Sequence, residues 1–271
     1  MFQFPDIDPV AFTIGPIGPI GPIGPLTLQV HWYGLMYVLG FIVGWFGLRA
    51  RSTRADSPVT PARVEDLVFY IAVGVFVGGR VGYMLIYDSG ALIDDPLSLL
   101  YVWRGGMSFH GGLIGVLLMI AWFAKRNGQT FFAITDFAAP WVPPTMCFVR
   151  IGNFINGELW GKETTADAPW SVVFQGVPRH PTQLYEAFLE GVVMFVLLFW
   201  FSAKPRPRMA VSGLFLLLYG VFRFGVEFIR LPDAHIGYQA FGWVTRGQIL
   251  TAPMIVAGIV LLVLAYRRRS A

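Results

Sequence analysis

Charged residues are scarce in this sequence: Lys, Arg, Asp and Glu make up 13% of its 271 residues, roughly half the usual share in soluble domains. So few charges cannot cover the outside of a soluble core of this size. Soluble enzymes, disordered chains and nucleic-acid binders are therefore excluded. Cysteine is almost missing, and the single Cys147 rules out an internal disulfide and any cysteine-rich metal site. Its apolar neighbours Met146 and Phe148 point to a buried structural thiol. The four histidines, His31, His110, His180 and His235, form no close pair and no HExxH pattern, so no metal site is expected. No nucleotide-binding glycine motif and no GxSxG nucleophile turn occurs, so no cofactor is expected and the chain offers no convincing nucleophile of its own. Residues 1–9 contain no basic residue, unlike the start of a cleaved signal peptide.

What the sequence has instead is apolar length. Hydrophobic residues account for 55% and aromatics for 16% of the chain, and its mean hydropathy is +0.61. A membrane-spanning helix needs about 20 mainly apolar residues. Segments 31–48, 66–87, 109–124, 131–149, 184–203, 209–229 and 248–266 meet or approach that length. The fourth contains Asp136, Pro140, Pro143 and Pro144 and is expected to be a kinked or broken helix. The first, third, fifth and seventh each end in a basic cluster: Arg49, Arg51 and Arg54; Lys125 and Arg126; Lys204, Arg206 and Arg208; Arg267, Arg268 and Arg269. Basic clusters stay on the cytoplasmic side. The expected fold is thus an all-α integral membrane protein of about seven transmembrane helices, N-terminus outside and C-terminus cytoplasmic. One domain is expected over 1–271, with an outer N-terminal segment at 1–30 and a small outer loop region at 150–182. Residues 15–26 repeat Gly-Pro-Ile three times and end in Gly-Pro-Leu, and a short extended spacer is expected there.

Twelve of the twenty basic residues, Arg63 included, belong to the cytoplasmic set. Eight do not: Arg80, Arg104, Arg150, Lys162, Arg179, Arg223, Arg230 and Arg246. An ionisable residue in a membrane segment is a functional hypothesis by default. Tyr219, Arg223 and Glu227 recur at four-residue spacing on one helix face, with Arg230 next along it. Glu227 either neutralises Arg223 or holds its guanidinium so that the remaining donors meet a phosphate; the residues alone leave both open. Arg80, Tyr83 and Tyr87 repeat the pattern in the second segment, where a structural role is favoured.

Past the fourth segment, Arg150-Ile-Gly-Asn-Phe-Ile-Asn-Gly-Glu-Leu-Trp-Gly-Lys162 reads as a loop that folds back at Asn156-Gly157. His110 sits among glycines, which let backbone or a lipid headgroup approach, while Ser108 beside it makes a poor dyad. His180 precedes the fifth segment, and Tyr33 shares a helix face with Tyr37. An intramembrane protease would need a serine, aspartate-pair or metal centre that is not well placed here. A lipid or anion transporter is the stronger rival, though no repeat between the halves is visible.

These motifs resemble one family closely, the bacterial prolipoprotein diacylglyceryl transferases. The likeness runs from His31-Trp-Tyr-Gly-Leu-Met-Tyr37 to Gly247-Gln-Ile-Leu250, and its most specific part is Arg150 to Gly161. Gly105 to Gly112, Arg179 to Glu186 and Tyr219 to Glu227 match in family order. The resemblance implies a seven-helix inner-membrane enzyme whose active site faces the periplasm. Such an enzyme moves diacylglycerol from phosphatidylglycerol to the lipobox cysteine of an exported prolipoprotein, giving a thioether and glycerol 1-phosphate. It implies catalytic roles for Arg150, Arg223, His110 and Tyr33. It also implies phosphatidylglycerol-binding roles for Arg150, Asn153, Gly157, Glu158, Tyr219, Arg223 and Glu227, with His180 and Arg230 less decisive. Partners would be phosphatidylglycerol, the prolipoprotein signal peptide and the bilayer, with no nucleic acid. The sequence departs from the pattern in its expanded Gly-Pro-Ile stretch and in a short stretch between Lys162 and Arg179.

Overall fold

The computed structural model describes residues 2–19, 25–101, 105–232 and 237–267. Arg104, His235, Arg268 and Arg269 lie outside them. Two compact units emerge, Met1–Phe46 with Ala139–Ala271, and Gly47–Ala138.

In the first unit, strands β1 (Phe2–Gln3), β2 (Val10–Pro19) and β3 (Pro25–His31) precede helix α1 (Trp32–Ser52), which runs on into the second unit. Helix α6 (Val142–Ile155) follows a 3-10 turn at Ala139–Trp141. Strands β4 (Val172–Phe174) and β5 (Val177–Arg179) come next, then α7 (Thr182–Glu186), a π-helical stretch Ala187–Val193, and α8 (Met194–Phe201). Helices α9 (Ala210–Val226) and α10 (Arg246–Arg267) complete the unit. In the second unit, a 3-10 turn Pro61–Arg63 leads into α2 (Val64–Ile86). The short α3 (Ser89–Asp94), then α4 (Phe109–Arg126) and α5 (Phe131–Ala138) follow.

Every apolar segment of the sequence is helical. Five helices, Trp32–Ser52, Pro61–Ile86, Phe109–Arg126, Thr182–Phe201 and Arg246–Arg267, are long and apolar enough to cross a membrane, and Ala210–Val226 is a shorter apolar helix. The fourth segment is broken where expected: α5 stops at Ala138, and Pro140, Pro143 and Pro144 separate it from the body of α6. Other expectations need correction. Arg150 to Ile155 belong to α6, so the chain turns only at Asn156–Gly157, where glycine supplies a φ of +67°. The fold is mostly helical rather than all-α. The segment expected as a spacer pairs with itself, β2 against β3, and β1 joins β4 and β5 in a three-stranded sheet. The alternation Phe12-Thr13-Ile14 against Leu28-Gln29-Val30 has the two-residue period that suits a strand. Composition and triplet period had hidden it.

The second unit is held by a close helix crossing. Gly74, Gly78 and Gly82 on α2 face Gly111 and Gly115 on α4, and an added Cβ at any of them would meet backbone. Small residues four apart let two helices approach in this way. In the first unit, Ala139, Met194, Leu198 and Val211 form a buried cluster against which Phe215, Leu218, Tyr219 and Phe222 pack. Cys147 is half-buried rather than buried and lies against Gly191.

Candidate functional site

Three arginines and three glutamates converge inside the first unit. Arg150, in the last two turns of α6, places Nε 2.8 Å from Glu186 Oε2 and Nη2 3.6 Å from Glu190 Oε2. Arg223, near the end of α9, pairs through Nη1 with Glu186 Oε1 and through Nη2 with Glu227 Oε1. Arg230 lies 3.5 Å from Glu186 and 3.8 Å from Glu227. Glu186 thus touches all three guanidiniums, using both oxygens. The acids are the inner layer: the side chains of Glu186, Glu190 and Glu227 are 1%, 0% and 6% exposed, against 18%, 12% and 11% for Arg150, Arg223 and Arg230. An isolated buried guanidinium would be prohibitively costly, and this pairing with carboxylates is what allows the cluster.

Local structure explains how the acids arrive. Glu186 and Glu190 are four residues apart, and the turn between them widens into a π-helix, a feature frequent at functional sites. The second Glu227 oxygen accepts the Thr245 hydroxyl, and Thr245 N donates to Gln248 Oε1 at 3.0 Å. Gly247 makes this fit possible, because a Cβ there would collide with the Glu227 carboxylate. An apolar groove of about 260 Å³ runs beside the cluster, lined by Tyr185, Leu189, Val221, Phe222, Gly225, Val226 and Ile229.

The other expected residues fall into separate groups. Glu158 is held by asparagines, accepting from Asn153 Nδ2 at 3.1 Å and Asn156 Nδ2 at 3.2 Å. Its backbone carbonyl accepts from Gln183 Nε2, which ties the post-α6 turn to α7. A Cβ at Gly157, whose φ is positive, would press on the Phe174 ring at 3.1 Å. Tyr33 lies within 3.5 Å of the Tyr37 hydroxyl and packs on Gly152 of α6, where a Cβ would come within 3.1 Å of its ring. Tyr219 stacks on Phe215 with ring centroids 6.4 Å apart. His180 Nδ1 is 3.2 Å from the Tyr185 hydroxyl, and burial lowers its pKa below the ordinary value. Of the two less decisive candidates, Arg230 is part of the arginine cluster, whereas His180 makes none of the cluster's ion pairs.

The second unit carries His110, exposed at the start of α4. Ser108 is not a dyad partner. It caps α4, its Oγ accepting from Gly111 N at 3.2 Å. Arg80 is buried and spends its donors on backbone, reaching Ser98 O at 2.6 Å, Leu99 O and Gly106 O at 3.1 Å, and Gly105 O. Its role is the structural one expected, fastening the loop that leads to Ser108 and His110.

Glu186, Glu190, Thr245 and Gln248 are not singled out as site residues when the sequence is read through its cations, although Glu186 closes one of its motifs. The signal for the two acids is nonetheless present: a pair of glutamates four residues apart within an otherwise apolar span.

Known proteins resemble this chain over its whole length. The profile of the family described as prolipoprotein diacylglyceryl transferase matches residues 23–264. A phosphatidylglycerol–prolipoprotein diacylglyceryl transferase of Methylococcus capsulatus is 57% identical, over the whole of both chains. Proteins of the same name from Oleidesulfovibrio alaskensis and Pseudomonas aeruginosa are 53% and 52% identical, covering all of this chain and 97% and 98% of theirs. The chain belongs to the prolipoprotein diacylglyceryl transferase family.

Proposed function

We propose that this chain transfers the diacylglyceryl group of phosphatidylglycerol to the lipobox cysteine thiol of exported prolipoproteins, in a single membrane-embedded domain over 1–271. In this reading the substrate sulfur attacks the diacylglycerol carbon that bears the phosphate. A C–S bond forms as the C–O bond breaks, glycerol 1-phosphate leaves with the bonding electrons, and the thiol gives up its proton. No protein nucleophile is required. The names of the relatives support the substrates, and the apolar helices support a bacterial membrane setting.

The observation that carries the site assignment is the bridging of Arg150 and Arg223 by Glu186. A carboxylate behind two guanidiniums fixes their spacing and leaves their more accessible edges to meet a phosphate. Charge grows on that phosphate as the C–O bond breaks, so donors held in place act where the transition state needs them. In a low-dielectric site each such donor supplies about 3 kcal/mol. Arg230, Glu227 and Glu190 complete the frame. Tyr219, Asn153, Gly157, Glu158 and His180 shape the phosphatidylglycerol site around it, with Tyr33 at the α1–α6 contact. The apolar groove beside the cluster suits acyl chains. His110 either takes the thiol proton or binds the headgroup while the arginine field favours the thiolate.

The topology in this proposal has seven spans. The broken pair α5–α6 and the shorter α9 join the five long helices, with the N-terminus outside and the C-terminus cytoplasmic in the bacterial inner membrane. The alternating basic clusters support it, and it puts the arginine cluster toward the periplasm. The test is replacement of either clamp arginine. Arg150→Ala and Arg223→Ala should each abolish transfer of labelled diacylglycerol to a lipobox peptide. Near-normal turnover in either folded variant removes the clamp.

A further inference from the structure

The β2–β3 hairpin takes no part in the proposed chemistry, yet it is built with care. No formally charged residue occurs between Asp8 and Arg49, so the hairpin and the first membrane helix as far as Leu48 form one uncharged run. The join has no linker, because β3 ends at His31 and α1 begins at Trp32. Trp32 N donates to Pro9 O at 3.0 Å, closing the hairpin base on the first turn of α1.

Its two faces differ. Phe12 pairs with Val30 and Ile14 with Leu28, while Thr13 pairs with Gln29 between them. Cross-strand partners share a face and neighbours alternate. Phe12, Ile14, Leu28 and Val30 are therefore on one side, and Thr13, Gln29 and Thr27 on the other. A three-residue repeat should break this pattern, since Ile14 and Ile17 would point opposite ways in a regular strand. They do not, because a register shift between them absorbs one residue and Ile17 pairs with Leu26, two before Leu28. The bulge converts a period of three into a one-sided apolar face.

That face is uncovered: Phe12, Ile14, Ile17 and Leu28 are between 43% and 49% exposed. A lone two-stranded hairpin is marginal in water, so something must support it. We infer that the bilayer interface does, the hairpin lying on the membrane as an amphipathic paddle at the end of α1 remote from Arg49, Arg51 and Arg54. Continuity with a spanning helix that carries no formal charge before Arg49 puts it at that depth. Its unpaired edges keep it out of the hydrocarbon, where unsatisfied backbone is too costly. Pro16 and Pro19 remove amide donors from β2, which disfavours a peptide strand adding to that edge. The inference rests on the membrane reading and is independent of the transfer chemistry.

The test uses the full chain in vesicles of phosphatidylethanolamine and phosphatidylglycerol. Ile14→Cys, Leu28→Cys and Thr13→Cys, in a Cys147→Ser background, each carry an environment-sensitive nitrobenzoxadiazole label. Labels at 14 and 28 should lose most of their emission to lipids with a nitroxide near the headgroup and little to aqueous iodide. The label at 13 should do the reverse. The unsubstituted protein should form adducts at Phe12, Ile14 or Leu28 with a photoreactive phospholipid, which keeps the test valid if a cysteine variant misfolds. Equal iodide quenching at 13 and 14, or protection of 14 only after a lipobox peptide is added, would overturn the inference. The second outcome would make the face a peptide surface.

Discussion

Glu186→Gln isolates the bridge with little change in side-chain volume. The cluster balances three guanidiniums against three carboxylates, and the substitution leaves one positive charge uncompensated. The amide keeps one oxygen, so it can accept from Arg150 or from Arg223. Its NH2 must then face the other guanidinium, donor against donor. Removing one side of a buried pair costs about 3–5 kcal/mol. The lower end applies here, because Arg150 and Arg223 keep Glu190 and Glu227 as second partners. Activity should suffer independently of stability. A displacement of the clamp by about 1 Å costs on the order of 100-fold in rate, and the loss should fall on kcat more than on KM, since the clamp acts on charge that develops in the transition state. The assay is steady-state transfer of labelled diacylglycerol to a lipobox peptide in detergent, beside a thermal melt of the same preparation. Glu186→Asp, which keeps the charge on a shorter stem, should lose less than the glutamine variant. A Glu186→Gln protein with unchanged kcat and melting temperature would refute the bridge.

Three further expectations follow from other parts of the molecule. If His110 takes the thiol proton, His110→Gln should lower the rate and flatten its pH dependence, and unchanged rate and pH profile would eliminate it as the base. Gly78→Leu should prevent the α2–α4 approach, since even a Cβ at Gly78 meets the Gly111 carbonyl and the Gly115 backbone; the check is loss of folded protein in detergent, and a wild-type melt would contradict the packing. His180 is held below its ordinary pKa of 6.5 by burial, so the unfolded chain binds its proton first as pH falls. The stability this residue contributes is complete above 6.5 and declines as pH drops through and below that value. His180→Gln should show a shallower loss of melting temperature between pH 7 and 5, roughly the range in which histidine titrates, and an identical slope would remove His180 from the account.

Much of this was legible in the residues, for physical reasons. Apolar length and the basic clusters report on solvent, and solvent is what sorts a membrane chain, so the five long apolar helices and the shorter Ala210–Val226 could be located. The prolines at 140, 143 and 144 announced the break before α6. Gly157 was readable because Asn-Gly favours positive φ. The end of α6 was less legible, since Arg150 and Asn153 look like loop residues until Glu186 and Glu158 are there to receive them. Glu186 and Glu190 were hidden by their balance with the arginines, for a neutral cluster leaves no trace in net charge. The hairpin was hidden by its prolines and its period of three, which read as a spacer until a bulge restores the two-residue alternation. A structural role for Arg80 was readable but its partners were not, because its acceptors are backbone carbonyls that every residue carries.

The central claim is that this chain joins a lipid from phosphatidylglycerol to a cysteine thiol through the Arg150–Glu186–Arg223 frame. Its most direct test is the purified protein incubated with phosphatidylglycerol and a lipobox cysteine peptide, with the products identified by mass spectrometry. A thioether-linked diacylglyceryl peptide together with glycerol 1-phosphate, both lost in Arg150→Ala and Arg223→Ala, is the expected result. A cleaved peptide would indicate a protease, unmodified peptide with lipid movement would indicate a transporter, and either would contradict the account.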